Sequence, residues 1–178
     1  MSAGVGVHAF MKLDSVALKN AVPTAEGAVA EAVFDSPVQI QGSRCLVTGF
    51  GRCGSVLAEK LKLWSAKVTA AARNKEQRAL AESFGIKAVS LDELKEELSQ
   101  ADFIFNTIPA MILDRERLEQ VKKEALIVDI ASAPGGVDFM AADELGIKAT
   151  HCLGIPGKYA ACSAAAILTE TMITEWDV

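Results

Sequence analysis

A glycine pattern near residue 50 constrains the fold of this chain more than any other feature of its sequence. Glycine occupies positions 49, 51 and 54, which gives the spacing G-x-G-x-x-G. The apolar run 45–48 before the pattern predicts a buried strand, and the residues after it, through Leu63, have the apolar periodicity of a helix. Glycines that join a strand directly to a helix allow a tight turn and a close approach of the backbone to another group.

Short apolar runs and amphipathic segments alternate along the rest of the chain. The apolar runs predict strands at residues 45–48, 67–71, 87–89, 103–107, 126–130 and 148–152. The segments between them predict helices at residues 55–63, 76–84, 92–98, 115–122 and 138–145, with a closing helix at 160–175. Because the strands lack polar–apolar alternation, we expect a Rossmann-type, doubly wound α/β fold, in which a parallel sheet of about six strands carries helices on both faces.

Helix-capping residues support this assignment, and the N-terminal part of the chain differs from the rest. Gly85 and Gly146 follow two predicted helices, where a left-handed cap is favoured, and Asp114 precedes another as an N-cap. Thr24 is predicted to cap a helix at residues 25–34. We expect residues 1–22 to be a linker or a partial N-terminal segment and residues 23–178 to be the NAD(P)-binding domain.

In its strand–turn–helix context the glycine pattern predicts a dinucleotide site. The first glycine permits the turn, the second admits a pyrophosphate, and the third lets the helix pack against the sheet. The free N–H groups at the helix N-terminus then face the phosphates. The residues expected to hold the cofactor here are Gly49, Phe50, Gly51, Arg52, Cys53 and Gly54.

The end of the second predicted strand favours NADP over NAD. NAD enzymes usually carry Asp or Glu at this point, about 20 residues after the glycines, where it binds the ribose hydroxyls. This chain has Arg73, Asn74 and Lys75 there instead. An arginine can bind a 2′-phosphate through two hydrogen bonds, and a lysine adds positive charge. The alternative is that Arg73 is a solvated residue at a strand end.

Two further loops are expected at the same edge of the sheet, because open α/β sheets bind ligands at the carboxyl ends of their strands. One follows the fourth predicted strand and the other follows the fifth. They add Thr107, Ile108, Pro109 and Ser132 to the expected cofactor contacts. Gly135, Gly136 and Lys158 are the candidates for the substrate side.

The composition argues against several classes of protein. The net charge of −5 and the absence of a basic stripe disfavour nucleic acid as a partner. No apolar run reaches the roughly 18 residues of a membrane span. The four cysteines form no C-x-x-C pair and are expected to be buried free thiols rather than metal ligands, which indicates the cytoplasm. His8 has no structural assignment, His151 is expected in the last strand, and no catalytic acid or base can be named.

The sequence resembles the dipicolinate synthase family, specifically the A subunit of that enzyme. The matching blocks are residues 22–28, 46–52, 72–73, 106–110, 129–139 and 154–158. The resemblance implies an NADP-linked enzyme that oxidises a dihydrodipicolinate-type precursor, a small dicarboxylate, to pyridine-2,6-dicarboxylate during spore formation. It also implies that the partner is the flavoprotein-like B subunit, and we expect a homo-oligomer. Family members carry a domain before the first block that is largely absent here, so we expect an isolated cofactor domain. Ser65 stands where the family would have glycine.

The sequence is also compatible with two other interpretations of the function. Cofactor domains of 2-hydroxyacid or alanine dehydrogenases share the order of a helix followed by a Rossmann domain, but they normally carry an acid at the end of the second strand. A non-enzymatic domain that senses dinucleotides would bind the nucleotide without any substrate.

Overall fold

The structure, a computed structural model, describes residues 10–176. Its strands are β1 (Arg44–Thr48), β2 (Lys67–Ala71), β3 (Lys87–Val89), β4 (Phe103–Asn106), β5 (Leu126–Asp129) and β6 (Lys148–His151). Its α-helices are α1 (Asp14–Asp35), α2 (Arg52–Leu63), α3 (Lys75–Ser83), α4 (Leu94–Gln100), α5 (Arg115–Leu118), α6 (Phe139–Glu144), α7 (Ile155–Tyr159) and α8 (Ala161–Trp176). Short 3₁₀ turns precede α1, at Phe10–Lys12, and α4, at Leu91–Glu93.

The strands form one parallel sheet in the order β3-β2-β1-β4-β5-β6. The chain winds outward from β1 in one direction as far as β3 and in the other from β4 to β6, so the winding reverses between β1 and β4. The register places Thr48 beside Asn106 and Asn106 beside Asp129 at the carboxyl ends of the three central strands. The doubly wound α/β fold expected from the sequence is thereby confirmed.

Helices cover both faces of the sheet because successive strand residues enter two separate cores. In β1, Cys45 and Val47 pack with α1 and α2, whereas Leu46 packs on the opposite side with α4. In β4, Phe103 and Phe105 likewise face the first core. Full burial on both faces explains why the central strands have no polar–apolar alternation in sequence.

The N-terminal helix is longer than the sequence predicts. It begins at Asp14 rather than at residue 25, and Pro23 lies inside it. Thr24 is therefore not an N-cap, and its hydroxyl donates to the carbonyl oxygen of Asn20 one turn earlier. A continuous buried alanine face outweighs the cost of the internal proline. Residues 1–9 of the predicted linker segment lie outside the described residues, and the boundary at residue 22 stays a prediction.

Other element boundaries show smaller differences. The fifth helix ends at Leu118 rather than 122, because Val121 donates to Leu118 across a tighter turn that carries its side chain into the core. The predicted closing helix at residues 160–175 corresponds to α8, and the short helix α7 before it was not predicted from the sequence; non-helical backbone at Ala160 separates the two. The predicted caps are confirmed, with φ of 65° at Gly85, φ of 68° at Gly146 and a hydrogen bond from Arg117 N to Asp114.

Within residues 10–176, no helix combines the length and the apolar character that crossing a membrane requires. The cysteines in this part of the chain are free. Cys45 and Cys152 are buried as predicted, and Cys53 is half-buried. The expectation of a buried thiol is wrong for Cys162, which is exposed because α8 covers the rest of the domain only along part of its surface.

Candidate dinucleotide-binding site

The three glycines of the pattern meet three different steric requirements. Gly49 has a φ of 93°, and a Cβ there would overlap the side chains of Thr107 and Ile108. A Cβ on Gly54 would overlap the backbone carbonyl of Gly49, so α2 packs directly on the turn that follows β1. Around the place of a Cβ on Gly51, in contrast, nothing lies within 4 Å apart from its chain neighbours. The turn therefore leaves open space beside the N-terminus of α2, as a bound pyrophosphate requires.

The other residues of the glycine turn point in different directions. The side chain of Phe50 is 2% exposed, and its ring lies 6.3 Å from that of Phe84, so only its backbone can face a ligand. The guanidinium of Arg52 forms an ion pair of 2.8 Å with Asp14 at the start of α1. Cys53 faces the cleft, and burial raises the pKa of its thiol, which is therefore protonated at neutral pH.

The turn after β2 carries an exposed arginine. Arg73 is exposed, and its guanidinium forms no hydrogen bond or ion pair with any residue in the range 10–176. The Asn74 side chain is already used, because it caps α3 by accepting from the N–H groups of Glu76 and Gln77. Lys75 is exposed at the first position of that helix.

Arg78, which was not predicted from the sequence, holds this turn in place. Its Nη1 donates to the carbonyl oxygens of Ala72 at 2.7 Å and Arg73 at 2.8 Å. Arg78 follows Ala72 and Arg73 by only six and five residues across the start of a helix, and this spacing could have indicated the contact. The backbone that carries Arg73 is thus fixed, while its guanidinium has no partner among the described residues.

A buried polar chain crosses the carboxyl ends of β1, β4 and β5, and it too was not predicted from the sequence. Thr48 donates its hydroxyl to Asn106 Oδ1 at 2.7 Å, and Asn106 Nδ2 donates to Asp129 Oδ1 at 2.8 Å. All three residues are 0% exposed. Each of the three apolar strands ends in a polar residue, and this pattern is a sequence signal for such a chain. The signal was missed because the strands predicted for β4 and β5 extended one residue beyond these polar residues.

The loops after β4 and β5 reach the mouth of the site as predicted. Thr107 donates its hydroxyl to the carbonyl oxygen of Thr48 at 2.9 Å, and Pro109 and Ser132 are exposed. Gly135 and Gly136, the predicted substrate-side residues, are buried at the end of the loop after β5, against Asp129 and Asn106. Their positions indicate a role in shaping the loop.

These elements enclose a cleft of about 670 Å³ at the point where the winding of the sheet reverses. Its walls come from α1, the glycine turn, the two loops and the segment before α7. The lining residues are Ala17, Asn20, Thr24, Gly51, Arg52, Cys53, Thr107, Pro109, Ile130, Ala131, Ser132, Cys152, Leu153, Gly154, Ile155 and Pro156. Arg52 is the one charged residue among them. Burial raises the pKa of Cys152 to about 11, so both lining thiols are neutral.

The α1 wall was missed because the predicted helix began too late. Ala17, Asn20 and Thr24 are spaced three and four residues apart, which places them on one face of the helix that the structure shows. That spacing would have indicated a common surface once the helix was extended to Asp14.

Lys158 lies outside the residues that line the cleft. Its ammonium forms an ion pair of 2.7 Å with Glu31 of α1 and lies 5.0 Å from the ring centre of Tyr159. The hydrogen bond to Glu31 raises the pKa of the lysine. The contact joins α7 to α1, which gives Lys158 a structural partner rather than a free position facing a substrate.

Comparisons with known proteins agree with this geometry. Residues 17–137 match the family described as D-isomer specific 2-hydroxyacid dehydrogenase, NAD binding domain. The A subunit of dipicolinate synthase from Bacillus subtilis (strain 168) is 37% identical over 159 residues, which cover 89% of this chain and 54% of that protein. Shikimate dehydrogenase (NADP(+)) of Pyrococcus abyssi (strain GE5 / Orsay) is 27% identical over 114 residues, or 62% of this chain and 43% of that protein.

A solved structure is similar over nearly the same extent. The A subunit of dipicolinate synthase from Bacillus halodurans superposes with a TM-score of 0.90 at 34% identity, over 92% of this chain and 56% of that one. The chain thus spans about half the length of the curated relatives it matches. The resemblance to the A subunit of dipicolinate synthase predicted from the sequence is confirmed. This chain belongs to the family of NAD-binding domains of D-isomer specific 2-hydroxyacid dehydrogenases, as a dinucleotide-binding oxidoreductase domain similar to the A subunit of dipicolinate synthase.

Proposed function

We propose that this chain is the cofactor domain of an NADP-dependent oxidoreductase that resembles the A subunit of dipicolinate synthase. The observation that carries the NADP assignment is the guanidinium of Arg73 at the end of β2, which has no partner within residues 10–176 and lies in a segment, residues 71–75, without a carboxylate. NAD-binding domains use an acid at this place, and that acid would repel a 2′-phosphate.

Different residues of the site bind three different parts of the dinucleotide. Arg73 and Lys75 bind the 2′-phosphate, with the turn held by Arg78. The open space beside Gly51 and the N–H groups at the start of α2 receive the pyrophosphate. The largely uncharged cleft, with Thr107, Pro109 and Ser132 at its mouth, receives the nicotinamide half. When bound, the nicotinamide ring supplies the hydride chemistry of the reaction.

The proposals for the substrate and the partner rest on the similarity to the A subunit of dipicolinate synthase. We propose that the whole protein oxidises a dihydrodipicolinate-type dicarboxylate in the cytoplasm of a spore-forming cell, together with a flavoprotein-like B subunit. Arg52 is the one cation among the described residues that line the cleft, and it is paired with Asp14. Two carboxylates need more positive charge or N–H donors than this cleft offers, so the remaining part of the protein would complete the substrate site.

The substitution Arg73→Ala tests the nucleotide assignment. Titration calorimetry with NADPH and NADH should show a loss of about 1.5–3 kcal/mol in binding free energy for NADPH, the value of a hydrogen bond to a charged group, and almost none for NADH. Arg115→Ala is the matched control, because Arg115 is exposed on α5 and pairs only with Glu144 in the described part of the chain. Equal losses for both nucleotides on Arg73→Ala would overturn the assignment.

The family match favours a second candidate, in which the domain serves an NAD-dependent 2-hydroxyacid dehydrogenase. This candidate predicts tighter binding of NADH than of NADPH by the unmodified chain. A domain that only senses dinucleotides would bind nucleotide without any hydride transfer in the complete protein. Absorbance of the nicotinamide band during incubation with a substrate separates both enzymes from the sensor.

We also propose that the domain forms a homodimer through an apolar surface formed by α1, α2 and α7. Its exposed side chains include Phe34 at 86%, Leu63 at 83% and Trp64 at 54% exposure, around a groove of about 920 Å³ that also contains Val33 and Tyr159. Together they expose on the order of 600 Å² per copy, close to the roughly 800 Å² that each partner buries in a stable interface. Lys60 and Glu26, the charged residues among those that line the groove, form an ion pair of 2.9 Å with each other, which suits contact between identical surfaces.

A further inference from the structure

The buried chain of Thr48, Asn106 and Asp129 is not explained by phosphate binding, because none of these side chains reaches the surface. We propose that Asn106 and Asp129 are positioning residues for the nicotinamide half of the bound dinucleotide. In this proposal the nicotinamide half lies against the loops after β4 and β5, and the buried side chains of Asn106 and Asp129 hold these loops in place. The inference rests on the proposed cofactor function and names the residues that orient one end of the cofactor.

Asp129 closes the loop after β5. Its Oδ1 accepts from the N–H of Ala131 at 3.0 Å, and its Oδ2 accepts from the N–H of Gly136 at 2.7 Å. The two ends of the loop 131–136 are thereby tied to one carboxylate. Gly135 has a φ of 84°, and a Cβ there would overlap Asp129 Oδ2, so the loop is packed tightly over the carboxylate.

Asn106 holds the loop after β4 by the same means. Its Oδ1 accepts from the N–H of Ile108 at 3.2 Å as well as from Thr48, and its Nδ2 donates to the Ile108 carbonyl oxygen at 3.0 Å. Because Nδ2 also donates to Asp129, the amide joins the two loops into one hydrogen-bonded unit. A displacement of either loop would break bonds in a buried site, where each lost partner is costly.

His151 supports the loop after β5 from the outer side of the sheet. Its Nε2 lies 2.9 Å from the carbonyl oxygen of Ala131, and its ring stacks on Phe139 at 5.7 Å. Both backbone polar groups of Ala131 are therefore bound, and Ala131 lines the cleft beside Ser132. The placement of the loop is determined from two sides.

The position of this network identifies the end of the cofactor that it affects. In a doubly wound sheet each half binds one mononucleotide, and the half that begins with β4 lies away from the turn that carries Arg73. The side chains of Asn106 and Asp129 bind the backbone of the loops after β4 and β5, and Thr48 joins them to the end of β1. A buried carboxylate also costs free energy that apolar side chains at these strand ends would not, so packing alone gives no reason for it.

Calorimetry with NADPH and with 2′-phospho-ADP, which lacks the nicotinamide riboside, tests the inference. Asp129→Asn replaces one acceptor by a donor that faces the N–H groups of the loop. We expect its affinity for NADPH to fall by about tenfold or more, while its affinity for 2′-phospho-ADP stays within about twofold. Asp102→Asn is the matched control, because Asp102 lies at the opposite ends of the strands, bound to Arg44 N and Lys122. It should change neither affinity.

Equal losses for the two ligands would show a structural role only, and unchanged NADPH binding in the folded variant would show that the loop is placed without Asp129. Either result overturns the inference.

If Asp129→Asn does not fold, Thr48→Val removes one donor to Asn106 at nearly constant shape, and the same selective loss is expected at about threefold. If the unmodified chain prefers NADH, the NADP assignment fails. The inference is then tested by the same titrations with NADH in place of NADPH and ADP in place of 2′-phospho-ADP. If the unmodified chain binds no dinucleotide, the proposed function and this inference fail together.

Discussion

Gly54 packs directly against the carbonyl group of Gly49, so the first turn of α2 lies on the turn that leaves β1. This contact places the N-terminus of α2 where the strand ends and leaves the space beside Gly51 open. The two outer glycines therefore shape the turn, and we propose that the space beside the middle one admits the pyrophosphate.

This division of roles predicts different outcomes for two glycine substitutions. Gly51→Val should leave the melting temperature nearly unchanged, because its φ of −87° suits any residue, but it should abolish dinucleotide binding by filling the open space. Gly54→Ala should lower the free energy of unfolding by about 1–3 kcal/mol, because the backbone it meets has no room to move. Thermal melts and calorimetry measure both effects. Normal NADPH binding by Gly51→Val would show that this turn is not the phosphate site.

Ser65 offers a prediction about stability alone. It has a φ of 60°, the one positive φ outside glycine in the described part of the chain, at the position where the family resemblance leads us to expect glycine. A left-handed conformation costs a non-glycine residue roughly 1–2 kcal/mol, more than the 0.5–1 kcal/mol or so of entropy that glycine loses. Ser65→Gly should therefore raise the free energy of unfolding by about 0.5–1 kcal/mol.

Denaturant titration measures this change, with Ser99→Gly in α4 as the control. Ser99 is helical, so glycine there should lower the free energy of unfolding by a few tenths to about 1 kcal/mol. A loss of stability in both variants would mean that the turn at residue 65 carries no strain.

The sequence was sufficient to predict the strands of the sheet, but it was not sufficient to predict the start of α1, the helix that forms one wall of the cleft. Strand positions depend on local apolar runs, and all of them agree with the structure within about a residue. The start of α1 depends on packing: its alanine face is buried against α2 and α7, and that tertiary contact overrides the local signals of Pro23 and Thr24. Local periodicity contains no information about such a partner.

The same distinction applies to the site. The geometry of the glycine turn and the position of Arg73 at the end of β2 could be predicted because both depend on residue type at a fixed spacing, and their roles in binding stay predictions. The polar chain from Thr48 to Asp129 could not, because its members are brought together by the register of three strands. Lys158 was predicted near a substrate from its place after β6, but its direction depends on Glu31, far away in sequence.

The apolar surface at Phe34 predicts a concentration-dependent dimer. Phe34→Glu should convert the chain to a monomer, because a charge would be buried against an apolar partner surface. Met140→Glu is the control, since Met140 is 79% exposed on α6, away from this surface, and its substitution should leave the dimer intact. Sedimentation velocity distinguishes the two states. A monomeric unmodified chain would contradict the proposed homodimer.

The charge of the cleft predicts that this chain alone does not hold a dicarboxylate. With Arg52 as the single cation of the lining, and that cation paired, pyridine-2,6-dicarboxylate should bind with a Kd weaker than about 1 mM, both alone and with NADPH present. Calorimetry on the isolated chain measures this affinity. Micromolar binding would show that the domain contains a substrate site of its own.

The most direct test of the central claim is a titration of the unmodified chain with NADPH and with NADH under the same conditions. Binding of NADPH about tenfold or more tighter than NADH is expected, because the guanidinium of Arg73 has no partner in the described part of the chain and no carboxylate occupies residues 71–75. Tighter binding of NADH would contradict the NADP assignment, and the absence of saturable binding of either nucleotide would contradict the cofactor site itself.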